Sequence, residues 1–163
     1  MDESSLQEIA QKTINLLLEN DYQLVTVESC TGGWVGKTIT DLSGSSAAFT
    51  GSFVTYSNEA KQQMVGVQLE TLKTYGAVSE EVAAEMATGA IQKTDAQVAV
   101  SITGVAGPSG GTEAKPVGMV CFGWAFKDHK PETTVCYFDG NRDEVRKQAV
   151  AFALQGIALR LAK

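Results

Sequence analysis

The segment Glu28-Ser-Cys-Thr-Gly-Gly33 places two potential nucleophiles, Ser29 and Cys30, next to a pair of glycines. It follows a short β-branched run, which predicts a turn from a strand into a helix. A nucleophile on such a turn lies at the edge of a sheet, where N–H groups of the helix can stabilise a developing oxyanion. Side chains alternate along a strand, so we expect only one of the two nucleophiles to face a cleft. The same residues would also suit an ordinary turn in which Ser29 caps the helix.

A possible general base lies in the segment Tyr56-Ser-Asn-Glu-Ala-Lys61. We expect Tyr56 to end a strand, Asn58 to cap the following helix, and Lys61 to lie in the first turn of that helix. The helix dipole and burial both favour the neutral form of a lysine in this position. A neutral lysine can accept a proton from a serine, which removes the need for histidine. The alternative is a solvated lysine on a short surface helix.

A third candidate is the glycine-rich loop Thr103–Gly111, which follows a strongly apolar run. Its backbone N–H groups could bind phosphate or sugar oxygens, although a merely flexible connection is an equal alternative. The loop contains neither the Gly-x-x-x-x-Gly-Lys-Ser/Thr pattern of nucleotide hydrolases nor the Gly-x-Gly-x-x-Gly pattern of dinucleotide-binding folds. Arg142, near the start of the last helix, could supply a fixed cation for a phosphate; otherwise it is a surface arginine.

Composition excludes several classes of function. The chain has 163 residues, a formal net charge of −6, one histidine and three cysteines. An acidic chain without clustered Lys and Arg is unsuited to binding nucleic acid. One histidine and scattered cysteines argue against a metal site or a disulfide framework, and favour a reducing compartment. No signal peptide or apolar span is present, so we expect a cytoplasmic protein with no membrane partner.

The pattern of apolar residues predicts a single α/β domain over residues 1–163, with a mixed, mainly parallel sheet. We expect Ser5 and Glu8 to form a capping box at the first helix, and Ser79 to cap a later one. Asn141 with Glu144 has the spacing that begins the last helix. The predicted helices cover about 5–20, 33–42, 58–65, 79–93 and the chain after 141, and the predicted strands about 23–28, 47–56, 97–103, 117–126 and 133–138.

The hairpin predicted between the last two strands carries two of the cysteines. Cys121 and Cys136 are equidistant from the centre of its turn, so a symmetric register would place them opposite each other. Opposed cysteines could form a disulfide, although two small core residues are the alternative in a reducing cell. We assign no role to His129 in the turn. Trp34 and Trp124 are predicted to be packing residues, because we expect nothing basic to surround either ring.

Five segments taken in order resemble the CinA C-terminal domain family. The resemblance extends over roughly Ile9 to Leu159, and its motifs are specific because they are long and correctly ordered. The matching segments are Glu28-Ser-Cys-Thr-Gly-Gly33, Phe53-Val-Thr-Tyr-Ser-Asn-Glu-Ala-Lys61, Gly76-Ala-Val-Ser79, Thr103-Gly-Val-Ala-Gly-Pro-Ser-Gly-Gly111 with Lys115-Pro-Val-Gly118, and Gly140-Asn-Arg142. Relatives often have aspartate where this chain has Asn141, which weakens any role for a carboxylate there.

The resemblance implies a three-layer α/β/α fold, frequent oligomers, and hydrolysis of the carboxamide of nicotinamide mononucleotide in pyridine-nucleotide salvage. It implies that Ser29 is the nucleophile and that Lys61 and Tyr56 form a proton-transfer pair. No cofactor or metal is implied, and the expected partners are a small nucleotide substrate and other copies of the chain. Substrate contacts would come from Thr31, Gly32, Gly33, Asn58, Thr103, Gly104, Gly107, Gly110, Gly111 and Arg142. We expect the acyl-enzyme to form at the turn of Gly32 and Gly33.

Three other interpretations remain open on the sequence. Cys30 is a rival nucleophile, because a thiolate at a helix N-terminus would be activated. The chain could instead be a non-catalytic nucleotide-binding or regulatory domain that keeps the fold, although it retains Ser29, Tyr56 and Lys61 together. A nucleic-acid-associated competence factor, which the historical family name suggests, finds no basic patch in this sequence.

Overall fold

In the computed structural model, which describes residues 2–162, helices and strands alternate at first, and a run of three helices and then a run of three strands precede the last helix. Most elements lie close to their predicted positions. The short helix Leu69–Tyr75 was not predicted, and a 3₁₀ turn at Ser45–Ala47 precedes the second strand. The elements are α1 (Glu3–Glu19), β1 (Leu24–Glu28), α2 (Trp34–Thr40), β2 (Phe49–Val54), α3 (Asn58–Val65), α4 (Leu69–Tyr75), α5 (Glu80–Lys93), β3 (Val98–Gly104), β4 (Met119–Phe126), β5 (Glu132–Tyr137) and α6 (Arg142–Leu161).

The five strands form one sheet in the order β2-β1-β3-β4-β5. β1 pairs in parallel with both β2 and β3, whereas β4 is antiparallel to both β3 and β5. Four of the five strands therefore run in the same direction and only β4 is reversed. The prediction of a mixed, mainly parallel sheet is confirmed.

Helices cover both faces of this sheet. Leu24 of β1 belongs to a core shared with α1, α2 and α6, while its neighbours Val25 and Val27 belong to a core shared with α3 and α5. This alternation follows from the strand period of two residues. All five residues of β1 are buried, as expected of a central strand between two helical layers. The three-layer α/β/α architecture is confirmed.

Two of the predicted helix caps are wrong. The N-cap of α1 is Asp2, whose carboxylate accepts a hydrogen bond from the Ser5 N–H at 2.9 Å, so Ser5 lies inside the helix. The cap of α3 is Ser57 rather than Asn58. In both places a second residue within three positions can also cap, and the sequence alone did not distinguish the two. The caps predicted at Ser79 and Asn141 are confirmed, the second with its full capping box.

The two hairpin cysteines are not opposite each other, which corrects the expected register. Cys121 lies opposite Val135, and Cys136 lies opposite Val120, because the turn is centred on Asp128 rather than between two residues. Asp128 adopts a left-handed backbone conformation with φ of 68°. The one-residue shift puts the two side chains on opposite faces of the sheet. Both thiols are free, and the disulfide alternative is wrong.

Each tryptophan has an arginine against it, so the expectation that nothing basic lies nearby is also wrong. The Arg146 guanidinium lies 5.2 Å from the Trp34 ring centroid, and the Arg160 guanidinium lies 4.0 Å from that of Trp124. These are cation–π distances. Both arginines come from α6, far from Trp34 in sequence. Within residues 2–162 no helix has the length and apolarity that crossing a membrane requires.

Candidate active site

The candidate site lies where the carboxyl ends of β2, β1 and β3 meet. Ser29 follows β1, Tyr56 follows β2, and Thr103 and Gly104 end β3. The connections that leave β1 and β2 pack on opposite faces of the sheet, a switch point at which α/β folds commonly bind ligands. A cavity of about 270 Å³ opens there. It is lined by Ser29, Cys30, Tyr56, Asn58, Lys61, Ala77, Val78, Thr103, Gly104, Ala106 and Arg142.

The central feature of the cavity is a contact between Ser29 and Lys61. Lys61 Nζ lies 3.0 Å from Ser29 Oγ, and both residues are buried. Lys61 Nζ also lies 2.9 Å from the Thr55 carbonyl oxygen and 3.2 Å from that of Tyr56. These are hydrogen-bonding distances, so a candidate nucleophile and a candidate base are in direct contact without any histidine.

Burial determines the charge of Lys61. The side chain is only 1% exposed, and no carboxylate within residues 2–162 lies at ion-pair distance from it. Desolvation lowers the pKa of Lys61 to about 8. A neutral amine has two N–H donors and one lone pair. Lys61 Nζ donates to Ser29 Oγ and to the Thr55 and Tyr56 carbonyls. Once one proton is lost, the two carbonyls can keep the two remaining N–H donors, which leaves the lone pair directed at the Ser29 hydroxyl.

Tyr56 contributes its backbone carbonyl to the buried part of the site and its side chain to the exposed part. Its backbone carbonyl is part of the lysine's hydrogen-bond set, and Ser29 Oγ lies 3.3 Å from the same oxygen. The Tyr56 side chain is 65% exposed and lines the mouth of the cavity. A phenol in this position can contact a bound molecule from the solvent side.

Glu28, which sequence reasoning did not select, organises the turn that carries Ser29. Its carboxylate is completely buried and accepts hydrogen bonds from the N–H groups of Gly33, Val35 and Gly36 at 2.9–3.1 Å. The hydroxyl groups of Thr26 and Thr31 donate to it as well. A strand-end carboxylate just before a helix start is the sequence signal that could have identified it.

This arrangement corrects the expectation that the Gly32 and Gly33 N–H groups face the reaction. The Gly33 N–H donates to Glu28, and the Gly32 N–H donates to the Ser29 carbonyl at 3.1 Å. The N–H of Cys30, the residue after Ser29, makes no hydrogen bond with another residue of the described chain. The capping role considered for Ser29 is also wrong, since the N-cap of α2 is Gly33.

Replacing Glu28 by glutamine is expected to lower the free energy of unfolding by about 3 kcal/mol, because an amide NH₂ would face N–H and O–H donors. Urea unfolding measures the change. Glu8→Gln on the exposed face of α1 is the matched control and should lie within about 0.5 kcal/mol of the wild type. Equal stability of the two variants would contradict the role assigned to the Glu28 carboxylate.

The environment of Cys30 disfavours it as a nucleophile. The residue is buried against the core shared by α1, α2 and α6. Burial raises the pKa of the Cys30 thiol to about 11, and the nearby positive charge of Arg146 only partly opposes this. A thiol of that pKa is almost wholly protonated at neutral pH, whereas the thiolate is the reactive form.

The structure gathers some of the predicted substrate contacts and separates others. Asn58, Thr103, Gly104 and Arg142 line the cavity with Ser29 and Lys61. The Gly107 carbonyl accepts a hydrogen bond from Arg142 Nη1 at 2.8 Å, which fixes that guanidinium at the rim. The remaining residues lie elsewhere: Thr31, Gly32 and Gly33 line a different cavity of about 370 Å³, and Gly110 and Gly111 are exposed outside the first.

A larger cavity of about 600 Å³ lies at the opposite end of the sheet, beside the β4–β5 hairpin. His129, Lys127 and Arg160 are among its lining residues, and none of the residues that line it is a serine or a cysteine. It therefore lacks a nucleophile in contact with a base. The smaller cavity is the candidate active site because its chemistry, rather than its size, distinguishes it.

The chain is similar to known proteins over nearly its whole length. The sequence matches the family model of the CinA C-terminal domain over residues 6–161. It is 52% identical over 155 residues to nicotinamide-nucleotide amidohydrolase PncC of Escherichia coli K12, covering 95% of this chain and 94% of that protein. A CinA-like protein of Leptospira biflexa is 49% identical over 138 residues, which are 85% of this chain and 33% of that protein.

Solved structures give the same result for the fold. The competence/damage-inducible protein CihA of Agrobacterium tumefaciens superposes with a TM-score of 0.93 at 38% identity, covering 100% of this chain and 98% of that one. A CinA superfamily protein of Klebsiella pneumoniae gives a TM-score of 0.93 at 36% identity, over 96% of this chain and 98% of that one. Both likenesses extend over essentially the whole chain.

Proposed function

The chain belongs to the CinA C-terminal domain family, and we propose that it is a nicotinamide-nucleotide amidohydrolase. It hydrolyses the carboxamide C–N bond of nicotinamide mononucleotide and releases nicotinate mononucleotide and ammonia. Relatives about 50% identical over nearly their full length carry this enzyme's name. One observation supports a hydrolytic reaction at this site: the buried contact of 3.0 Å between Lys61 Nζ and Ser29 Oγ.

Ser29 and Lys61 form the acyl-transfer pair in this proposal. Neutral Lys61 accepts the Ser29 hydroxyl proton as Oγ attacks the carboxamide carbon. The Cys30 N–H, which has no acceptor within residues 2–162, donates to the resulting oxyanion. This donor replaces the Gly33 N–H, which Glu28 occupies.

Collapse of the tetrahedral intermediate breaks the C–N bond. The departing amide nitrogen needs one proton, which comes from the Lys61 ammonium with the Tyr56 hydroxyl as relay. The acyl-enzyme is then hydrolysed by a water molecule that gives its proton to Lys61, and Ser29 is regenerated. The position of Tyr56 at the cavity mouth supports this role, because a leaving group must exit past it.

The charges of the cavity suit an anionic substrate. Its lining residues include Lys61 and Arg142 and no carboxylate, although the whole chain carries a net charge of −6. We propose that Arg142 binds the phosphate of the nucleotide, since a guanidinium provides paired donors for phosphate oxygens. Asn58, Thr103 and Gly104 line the same cavity and would contact the sugar and the ring. Homo-oligomers and cytoplasmic localisation remain predictions.

An ammonia-release assay on the purified chain tests the proposed function. Nicotinamide mononucleotide is the substrate, and parallel reactions contain a chelator. We expect one ammonia and one nicotinate mononucleotide per substrate consumed, at the same rate with and without chelator. Tight binding of the nucleotide without ammonia release would instead support a non-catalytic regulatory domain.

The pH dependence of the reaction should follow the ionisation of the Lys61 amine. Because burial lowers its pKa to about 8, the fraction of neutral base increases as pH rises through that value. We expect kcat/KM to rise about tenfold per pH unit below the midpoint and to level off above about pH 9. The substrate phosphate ionises near pH 6 and contributes little above pH 7. Steady-state kinetics between pH 6 and 9.5 check this, and a flat profile would contradict a lysine base.

A further inference from the structure

Arg146 of α6 binds the back of the turn that carries Ser29. Its Nε donates to the Cys30 carbonyl oxygen at 2.9 Å, and its Nη2 donates to the Thr31 carbonyl oxygen at 3.3 Å. Its guanidinium packs on the ring of Trp34, the first residue of α2. No carboxylate among residues 2–162 forms an ion pair with it. The hydrogen bonds of this arginine therefore go to the backbone of Cys30 and Thr31, in the turn that follows Ser29.

These contacts fix the orientation of the peptide groups beside the nucleophile. A trans peptide is planar, so holding the Cys30 carbonyl on one side points the Thr31 N–H to the other. The Ser29 carbonyl accepts the Gly32 N–H, which in the same way turns the Cys30 N–H away from the inside of the turn. Glu28 holds the turn from within the fold through Thr31 Oγ1. Arg146 is the contact that holds it from the side of α6.

Arg146 itself lies outside the candidate active site. It lines the separate cavity of about 370 Å³ with Gly32, Gly33 and Trp34, on the other side of the turn from Lys61. Its hydrogen bonds reach the reaction through the backbone they hold and not through the cavity lining. Catalysis depends on such placement, since a displacement of about 1 Å can cost about 10²-fold in rate.

We propose that Arg146 is a positioning residue that holds the Cys30–Thr31 backbone so that Ser29 Oγ and the Cys30 N–H keep their reactive geometry. The inference rests on the proposed serine–lysine chemistry of the same site. It predicts an effect on the chemical step and none on substrate contacts, because no atom of Arg146 lines the substrate cavity.

The test compares Arg146→Met and Arg146→Lys with a matched control, Arg160→Met. Arg160 lies on the same helix, packs on a tryptophan and donates to a backbone carbonyl, but contacts no residue of the turn. Each variant is assayed for kcat and KM with nicotinamide mononucleotide, for pH midpoint, and for melting temperature. Each is also treated with a small alkyl fluorophosphonate: Ser29 Oγ bonds to phosphorus, fluoride leaves, and Lys61 takes the hydroxyl proton. Intact mass gives the labelling rate.

We expect Arg146→Met to lower both kcat and the Ser29 labelling rate about 10²-fold, with KM within about twofold and the pH midpoint unchanged. Arg146→Lys should recover part of the loss, because one ammonium can hold one of the two carbonyls. Arg160→Met should keep kcat within about twofold, even if its melting temperature falls.

Normal kcat and labelling in Arg146→Met, or a loss confined to KM, would overturn the inference while the proposed function stood. Equal losses of kcat in Arg146→Met and Arg160→Met would overturn it too, since a general loss of packing would then explain both. If the wild type released no ammonia but Ser29 were labelled in an Arg146-dependent manner, the proposed function would fail and the inference would stand. A wild type that released no ammonia and whose Ser29 stayed unlabelled would overturn both.

Discussion

Ser29→Ala is expected to reduce ammonia release from nicotinamide mononucleotide by on the order of 10⁴-fold or more, to the background of the assay. The change removes the attacking oxygen but leaves the packing of the turn intact, because among the described residues the Ser29 hydroxyl hydrogen-bonds only to Lys61 and to the Tyr56 carbonyl. The variant should therefore fold normally and still bind the nucleotide. Ammonia measured over hours at high enzyme concentration, with the melting temperature recorded in parallel, gives the result.

Cys30→Ala is the matched control for this prediction. The two residues are adjacent, but burial raises the pKa of the Cys30 thiol to about 11 and the side chain faces the core. We expect kcat within about threefold of the wild type and a loss of about 1 kcal/mol in the free energy of unfolding, from the small cavity that the change creates. The reverse pattern, with Cys30→Ala inactive and Ser29→Ala active, would make the cysteine the nucleophile.

Lys61→Met should lower kcat by about 10²- to 10⁴-fold, the usual contribution of a positioned general base. Methionine has a similar length and suits the buried position of the lysine stem. The rise of activity with pH through about 8 should disappear in this variant, because the titrating amine is gone. Steady-state rates between pH 6 and 9.5 measure both effects.

The stability of the same variant gives an independent readout of the lysine's charge. Folding lowers the pKa of Lys61 from 10.5 to about 8, so the unfolded chain binds more protons between those values. The wild type should therefore gain stability relative to Lys61→Met as pH rises from 8 to 10.5, by on the order of 1 kcal/mol per pH unit. Urea unfolding at three pH values checks the sign.

Tyr56→Phe distinguishes the contribution of the Tyr56 hydroxyl to kcat from that of the Lys61 amine. The backbone carbonyl that contacts Lys61 is unchanged by this substitution, and the side chain is mostly exposed, so the pH midpoint should stay near 8. We expect a smaller loss of kcat than for Lys61→Met. A Lys61→Met variant that kept more than a third of wild-type kcat would contradict the base assignment, whatever Tyr56→Phe does.

Local sequence patterns were sufficient to predict most of the fold. Strands of β-branched residues and amphipathic helices follow from periodicity, and the parallel strands of an α/β fold bring their carboxyl ends together. This is why Ser29, Tyr56 and Thr103 could be expected at one edge of the sheet. The sequence left Lys61 either buried or solvated; the structure buries it, and burial is what lowers its pKa.

The remaining features depend on contacts between residues distant in sequence. Nothing adjacent to Cys30 indicates that Arg146, more than a hundred positions later, holds its carbonyl. The hairpin register depended on a left-handed Asp128, which shifted Cys121 by one residue from the expected pairing. The acceptor of the Gly33 N–H could not be predicted either, because a backbone N–H donates to whichever acceptor the fold brings to it.

The buried carboxylate of Glu28 also determines when the turn at the N-terminus of α2 becomes ordered. Helix N-termini beside a sheet edge commonly bind the phosphate of a nucleotide, which orders the loop only while the ligand is bound. Here the anion at the N-terminus of α2 is the Glu28 carboxylate, which is part of the chain. It stays bound whether or not a ligand is present, because its effective concentration is high. The turn is therefore pre-organised in the empty enzyme, and the entropy of ordering it is lost during folding rather than at each binding event. Substrate binding energy then remains available for orienting the reacting carboxamide.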